Sequence, residues 1–261
     1  MSLEQKAFIN KIKKKKILIT IIQISIVILF VVIWEILAKF KIINTFLFSS
    51  PSKIISVMLD LITANNLFPH ILITLYETLV AFLLGIILGF IISIILYEYP
   101  MIAKIVDPFL TMLNSLPKVA LGPLIIIIAG ANIKSIILMA LLINLIISIM
   151  TIYNGFLNID KTKLKLFESF RATKIQTLKM LIIPSSFPTI ISSLKINISM
   201  SLIGVIMGEF LVSKKGIGYL IIYGTQVFNL DLVMLGIIIL GIISFILYEI
   251  VFYIEKKLIL H

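Results

Sequence analysis

The sequence predicts an all-α, polytopic membrane protein with six transmembrane helices. Hydrophobic residues make up 61% of the 261 residues, only 13% are charged, and the mean hydropathy is +1.20. A water-soluble domain needs more polar surface than this composition provides. The chain contains six apolar runs of about 20 residues, the length of helix that crosses the hydrocarbon layer of a bilayer. Because the runs are continuous and do not alternate with polar residues, helices are favoured over a β-barrel.

The first span is predicted at residues 17–37, after a strongly basic N-terminal stretch. Trp34 is placed as an interfacial anchor near its end. A secretory signal peptide is the alternative, because such peptides also begin with a basic region followed by an apolar one. The run is longer than the apolar part of a signal peptide, and no small-residue cleavage site follows it. We therefore expect a retained helix.

Two features interrupt the series of spans that follows. Residues 52–62 form an amphipathic stretch in which Ile54, Ile55, Met58 and Leu61 share one face, as in a helix lying at the outer interface. A long hydrophilic interval separates the fourth and fifth spans. Residues 212–231 are expected to be irregular. The five further spans are predicted at residues 72–96, 109–130, 135–153, 189–211 and 232–253.

The distribution of charge predicts the orientation. With the N-terminus inside, the inner segments hold fifteen Lys and Arg residues and the outer segments hold six, which predicts that both termini are cytoplasmic. The net charge of +11 is concentrated in short loops, so we expect no nucleic-acid partner. The chain has no cysteine, and its two histidines, His70 and His261, are too far apart to indicate a metal site.

The hydrophilic interval predicts two short helices outside the membrane. Leu166, Phe167 and Phe170 fall on one face of the first helix, Glu168 and Arg171 can pair on the other, and a second apolar face follows a break at residues 172–174. Exposed apolar residues on a charged loop are typical of a partner site. A helix that merely lies on the bilayer surface is the alternative.

This interval resembles the coupling loop in the permease subunits of bacterial ATP-binding-cassette importers. The family loop ends in Ile-Pro or Leu-Pro thirteen residues after a Gly-Ala or similar step, and here Arg171 and Ala172 precede Ile183 and Pro184. The chain departs from the family at residues 165–167, where Glu-Ala-Ala is usual, and at Arg171, where Gly is usual.

Other segments are similar to the same family in order and spacing. Residues 114–123 resemble its proline-broken third helix, Pro188 and Lys195 resemble its following proline and basic residue, and residues 208–220 resemble its fifth-helix end and outer turn. The resemblance covers about residues 70–250. It is closest to the branch that imports nitrate, taurine, alkanesulfonates and thiamine precursors, and it implies a MetI-like permease core.

The resemblance implies four parts of the chain: a cytoplasmic tail at 1–16, the first helix with the outer amphipathic segment at 17–69, a permease domain at 70–255, and a cytoplasmic tail at 256–261. The permease domain includes the coupling loop at 154–188. This loop is expected to contact a separate ATPase subunit. The residues expected to couple to the ATPase are Phe167, Glu168, Phe170, Arg171, Ala172, Thr173 and Pro184.

A second group of residues is expected to line the translocation pathway. Pro117 and Pro123 each remove a backbone donor, and such broken helices are tolerated where they line a water-filled cavity. A simple packing kink is the alternative there, and for Lys195 the alternative is a side chain that reaches the inner interface. The candidates are Asn114, Ser115, Pro117, Lys118, Lys195, Asn197, Ser199, Ser201 and Glu209.

The function implied is that of a permease subunit. As a homodimer in the bacterial inner or cytoplasmic membrane, it would form the path for a small solute delivered by an extracytoplasmic binding protein. The chain contains no Gly-Lys pair and hence no phosphate loop, so ATP would be bound by the partner, and we expect no cofactor, no metal and no catalytic residue in this chain. An ion-coupled carrier or channel using Glu77, Glu209 or Lys195 is the alternative function.

Overall fold

The computed structural model describes residues 3–259, with the side chains of residues 11–258, and this part of the chain is helical with short connections. The ends of the two predicted tails, residues 1–2 and 260–261, lie outside the described residues. The helices are α1 (Leu3–Lys39), α2 (Thr45–Phe48), α3 (Pro51–Thr63), α4 (Leu67–Glu98), α5 (Pro100–Ser115), α6 (Gly122–Ala129), α7 (Ile133–Leu157), α8 (Lys161–Ser169), α9 (Lys174–Thr177), α10 (Ile183–Val212), α11 (Ile217–Gln226) and α12 (Leu230–Ile259). A 3₁₀ turn (Lys118–Leu121) precedes α6, and a π-helical turn (Leu178–Ile182) joins α9 to α10.

Five stretches of the described chain are long and apolar enough to cross a membrane, in α1, α4, α7, α9–α10 and α12. A sixth span is possible if α5 and α6 act as one element, although they are bent by 93° relative to each other. The bend follows from the prolines, because α5 ends at Ser115 and Leu116 is extended (ψ 138°) ahead of Pro117. The all-α membrane class is thus confirmed.

The centre of the bundle is formed by α4, α7 and α10. Small residues at their contacts let the backbones approach closely: Gly204 packs on Ala140, and Gly89 packs on Ser148. Asn144 on α7 is fully buried and donates from Nδ2 to the carbonyl oxygen of Ala81 on α4, at 3.2 Å. Close packing and an interhelical hydrogen bond together hold these three helices.

A second layer is built by α3, α11 and α12. Ile54 on α3 is buried in the same apolar cluster as Ile217 on α11 and Leu235 on α12, and Met58 packs against this cluster. Ile55 is exposed, so it does not share the buried face that the sequence predicted. The reason is its position one residue from Ile54, which rotates it by about 100° around the helix. The amphipathic segment therefore packs on α12.

The segment at residues 212–231 contains a regular helix, α11, which the sequence analysis expected to be irregular. The three glycines of residues 212–231 weaken the apolar pattern that marks a helix. The two that lie within α11 pack closely: Gly218 lies against Glu209, and Gly224 lies against Val233. Here the absence of a side chain serves close packing against α10 and α12.

Candidate functional site

The loop between α7 and α10 carries α8 and α9 and stands at the end of the bundle where α4 ends and α5 begins. Tyr97 and Glu98 at that end, with Leu164, Glu168 and Lys174 on the loop, line a cavity of about 430 Å³. We call this end of the bundle the loop end. The loop helices are thus seated against the bundle.

Side-chain caps fix where both loop helices begin. Asp160 Oδ1 accepts a hydrogen bond from the Thr162 backbone N–H at 2.8 Å. This bond and a second one from the Thr162 side chain hold the pKa of Asp160 below its usual range, so its charge is retained at the helix N-terminus. Thr173 and Gln176 form a reciprocal capping box at the start of α9.

The apolar residues of α8 are divided between two roles. Phe167 packs against the buried cluster of Ile152 and Phe156, whereas the Phe170 ring is 74% exposed. The sequence placed these two residues, with Leu166, on one face. The helix α8 ends at Ser169 and Phe170 is its C-cap residue, so Phe170 no longer follows the helix periodicity. Phe167 anchors the loop, and Phe170 is available for a contact outside this chain.

Arg171 has a left-handed backbone conformation, with φ at 52°. Its N–H donates to the Glu168 carbonyl oxygen at 2.9 Å, and the Ala172 N–H donates to the Phe167 carbonyl oxygen at 3.1 Å. This is the position at which the resembling family usually has glycine, the residue that adopts such a φ without strain. Glu168 and Arg171 form no ion pair in the described part of the chain, because the turn carries Arg171 off the helix.

The predicted coupling residues Phe167, Glu168, Phe170, Arg171, Ala172 and Thr173 lie together in the last turn of α8 and its connection to α9. Pro184 is the second residue of α10, where a missing N–H costs no hydrogen bond within the helix. It follows the π-helical turn at the base of the loop. The structure therefore places the six residues together and Pro184 at the point where the loop rejoins the bundle.

The predicted pathway residues fall into two separate groups. Asn114, Ser115, Pro117 and Lys118 lie together at the 93° bend between α5 and α6. Lys118 Nζ donates to the Asn114 carbonyl oxygen at 3.0 Å and to its side-chain oxygen Oδ1 at 3.2 Å. The bend thus presents a polar cluster where α5 ends, ahead of the apolar helix α6.

The other group lies on α10, and its side chains contact other residues of the same chain. Lys195 forms an ion pair with Glu255 on α12 at 2.7 Å, and Asn197 and Ser201 are fully buried. The hydroxyl groups of Ser199 and Ser201 donate to backbone carbonyl oxygens one turn earlier in the same helix. None of these residues hydrogen-bonds to the polar cluster at the bend within the described residues.

Glu209, the last predicted pathway residue, is fully buried at the end of the bundle opposite the loop end. Its Oε1 accepts from Thr74 Oγ1 at 2.6 Å, and its Oε2 accepts from the Gly218 N–H at 2.5 Å. His70 Nδ1 on α4 accepts from the Gly216 N–H at 2.9 Å. Together these bonds attach the start of α11 to α4.

His70 and Thr74 were not among the predicted site residues. The signal for them was available, because His70, Thr74 and Glu77 follow one another at helical spacing and share one face of α4. Their partners lie more than a hundred residues away on α10 and α11, which the sequence does not pair.

Apolar spanning helices, a helix broken at two prolines and a capped loop projecting from one end define the membrane-embedded subunit of a transport system. The chain belongs to the family of binding-protein-dependent transport system inner membrane components, whose model matches residues 81–260. It is therefore a permease subunit of an ATP-binding-cassette importer, as the sequence resemblance predicted.

Similar proteins support this assignment. SsuC of Bacillus subtilis, named for aliphatic sulfonates transport, is 28% identical over 232 residues, which are 87% of this chain and 83% of SsuC. ThiX of Halalkalibacterium halodurans, a formylaminopyrimidine transport permease protein, is 29% identical over 188 residues, 72% of this chain and 74% of ThiX. An inward facing structure of the MetNI methionine ABC transporter shares the fold at a TM-score of 0.66 and 17% identity, covering 73% of this chain and 95% of its counterpart.

Proposed function

We propose that the turn between α8 and α9 is the docking site for a separate ATPase subunit, which drives import of a small solute delivered by an external binding protein. The observation that carries this proposal is Phe170, an aromatic ring 74% exposed on a loop rich in charged residues. An exposed ring on a well-capped loop is suited to enter a pocket on a partner. The same loop carries positive charge from lysines at positions 161, 163, 165 and 174.

The docking site requires that the loop end is cytoplasmic, since ATP is supplied on that side. The excess of Lys and Arg in the segments at this end supports that orientation, with both termini in the cytoplasm. The chain would then be a multi-pass protein of the cell membrane.

The test is the double substitution Phe170→Ala/Arg171→Ala in the complete transporter. We expect the permease to insert normally but to lose binding of the ATPase and uptake of substrate. Phe228→Ala is the matched control, because Phe228 is also an exposed aromatic residue in a turn, but it lies at the opposite end, between α11 and α12. The control is expected to bind the ATPase at the parent level. Binding and uptake at the parent level in the double variant would contradict the proposal.

We propose further that a second copy of the chain completes the pathway beside the bend. Ile127 and Ile128 on α6 are 81% and 74% exposed next to the polar cluster at Asn114 and Lys118, so a partner helix would cover them and leave the polar groups facing the path. The chain has no cysteine, so Ile128→Cys introduces a single thiol. We expect it to form a disulfide-linked dimer in membranes, whereas Phe245→Cys on α12 stays monomeric. Equal crosslinking at both positions would contradict this interface.

For the substrate, we propose a small organic anion of the sulfonate type. Lys118 supports this class as a partly exposed cation at the bend, whereas Lys195 is neutralised by Glu255. Uptake of labelled alkanesulfonate, taurine and formylaminopyrimidine by the reconstituted transporter is the test. We expect uptake of a sulfonate that falls in Lys118→Gln, and uptake of formylaminopyrimidine alone would contradict the proposal.

A further inference from the structure

Two carboxyl groups meet in the interior at the end of the bundle opposite the loop end. Glu77 on α4 and Glu209 on α10 are both fully buried. Both oxygens of Glu209 are engaged, one by Thr74 and one by Gly218. Both oxygens of Glu77 lack a hydrogen-bond partner among the described residues, and the carboxyl group of Glu209 lies beside it. Glu77 is thus a buried carboxyl group that accepts no hydrogen bond from a neutral donor among the described residues.

The surroundings supply no compensating cation. Glu77 lies at the wall of a cavity of about 350 Å³ that Asn132, Lys214 and Lys215 also line. Neither lysine is within ion-pair distance of Glu77 or Glu209 in the described chain. His70 is the remaining titratable group on this face of α4, and its Nδ1 accepts a hydrogen bond from the backbone N–H of Gly216. At this wall α7 contributes Ile133 and Ile136, which carry no charge.

Two ionised carboxylates cannot remain side by side in such a place. Removing a charge from water without a partner is costly, and a neighbouring like charge adds to that cost. One proton between the two groups removes the repulsion and leaves a single negative charge. A protonated Glu77 can donate to Glu209, whose remaining charge also accepts hydrogen bonds from Thr74 and Gly218. A metal ion is a poorer fit, because no group of three acidic or histidine side chains suited to a metal occurs in the described residues.

We propose that Glu77 and Glu209 form a proton-binding site in which one proton is shared between the two carboxyl groups. The proton joins α4 to α10 directly. Glu209 in turn holds Gly218, and Thr74 holds the backbone N–H of Ile217 at 2.9 Å. The site therefore fixes the turn between α10 and α11, at residues 213–216, and the start of α11 against α4.

Infrared spectroscopy of the full chain in lipid nanodiscs tests this site directly. We expect the spectrum of the parent protein minus that of Glu77→Gln/Glu209→Gln, at neutral pH, to contain one carboxylic acid C=O band per chain that shifts when H₂O is replaced by D₂O. Gln keeps the size of both side chains and can donate without a proton from solvent. Asp60→Asn is the matched control, because it makes the same chemical change at an exposed site on α3 and should leave this band unchanged.

Each other result overturns the proposal. The lack of the band shows that both groups are ionised, and two bands per chain show that each has its own proton. Loss of the band when sodium chloride replaces N-methylglucamine chloride shows that a metal cation takes the place of the proton. If the double variant does not fold, the spectrum of the parent protein alone decides the matter, because a neutral-pH spectrum without any carboxylic acid band excludes the site.

Discussion

The ammonium nitrogen of Lys195 lies 2.7 Å from Glu255 Oε2 and thereby joins α10 to α12. Ser192 Oγ donates to the other oxygen of Glu255 at 2.8 Å, and the ring of Phe252 lies 5.5 Å from the ammonium nitrogen. Both charges of the pair are thus satisfied within the chain. The C-terminal helix is held to the bundle at this point by charge as well as by apolar packing.

Breaking the pair on one side should destabilise the protein more than removing it altogether. Lys195→Met leaves Glu255 without its cation beside the lipid, so we expect a lower Tm. Lys195→Met/Glu255→Met should recover most of the loss, because two apolar side chains can pack where the pair stood. The measurement is thermal unfolding in one detergent, with Lys134→Met as control, since Lys134 is exposed at the start of α7. Equal Tm values for the single and double variants would show that an unpaired Glu255 carries no extra cost, which contradicts this expectation.

The contact between α7 and α10 depends on the absence of a side chain at Gly204. A Cβ there would come to 2.5 Å from the Cα of Ala140, so Gly204→Ala must push the helices apart. We expect a loss of about 1–3 kcal/mol in the free energy of unfolding. Gly241→Ala in α12 is the control, because nothing lies within 4 Å of its Cβ. It should be neutral or stabilise by about 0.5–1 kcal/mol. A neutral Gly204→Ala would mean that the two helices are not packed this closely.

The left-handed conformation of Arg171 leads to a prediction about loop shape. Arg171→Gly should preserve the turn, whereas a β-branched residue at φ 52° should oppose it by about 1–2 kcal/mol. Arg171→Val should therefore bind the ATPase about 5- to 30-fold more weakly than Arg171→Gly. Titration of the isolated ATPase into each reconstituted permease measures this ratio. Equal affinities would show that binding does not depend on this backbone conformation.

Hydropathy and run length were sufficient to predict the spanning helices, because the length of a span follows from the bilayer's thickness. The break in the third span was predicted from Pro117 and Pro123. Helix ends were less accurate. The fifth span was predicted to begin at residue 189, whereas α10 begins at Ile183 and contains Pro188 in its first two turns. Pro188 does not interrupt the helix, because a proline is tolerated near a helix start.

Contacts between distant residues were beyond the sequence pattern. The turn around Phe170 could be located from the sequence because its residues are adjacent in the chain, and its proposed role came from the family resemblance. The partnership of Lys195 with Glu255, and that of Glu209 with Thr74 and Gly218, depends on how α10 is rotated about its axis against its neighbours. Periodicity does not determine that rotation in α10, because its polar residues do not gather on one face opposite an apolar one.

The helix α10 connects the two ends of the molecule as a single rod. Its 30 residues span about 45 Å, from Ile183 at the base of the loop to Val212, three residues beyond Glu209. The helix continues past Pro188, so a tilt at one of its ends is transmitted to the other. A change of tilt at Pro184 would therefore displace the far end of α10 sideways. Because Glu209 lies near that end, Glu77 on α4 must move with it or the contact between the two carboxyl groups is lost.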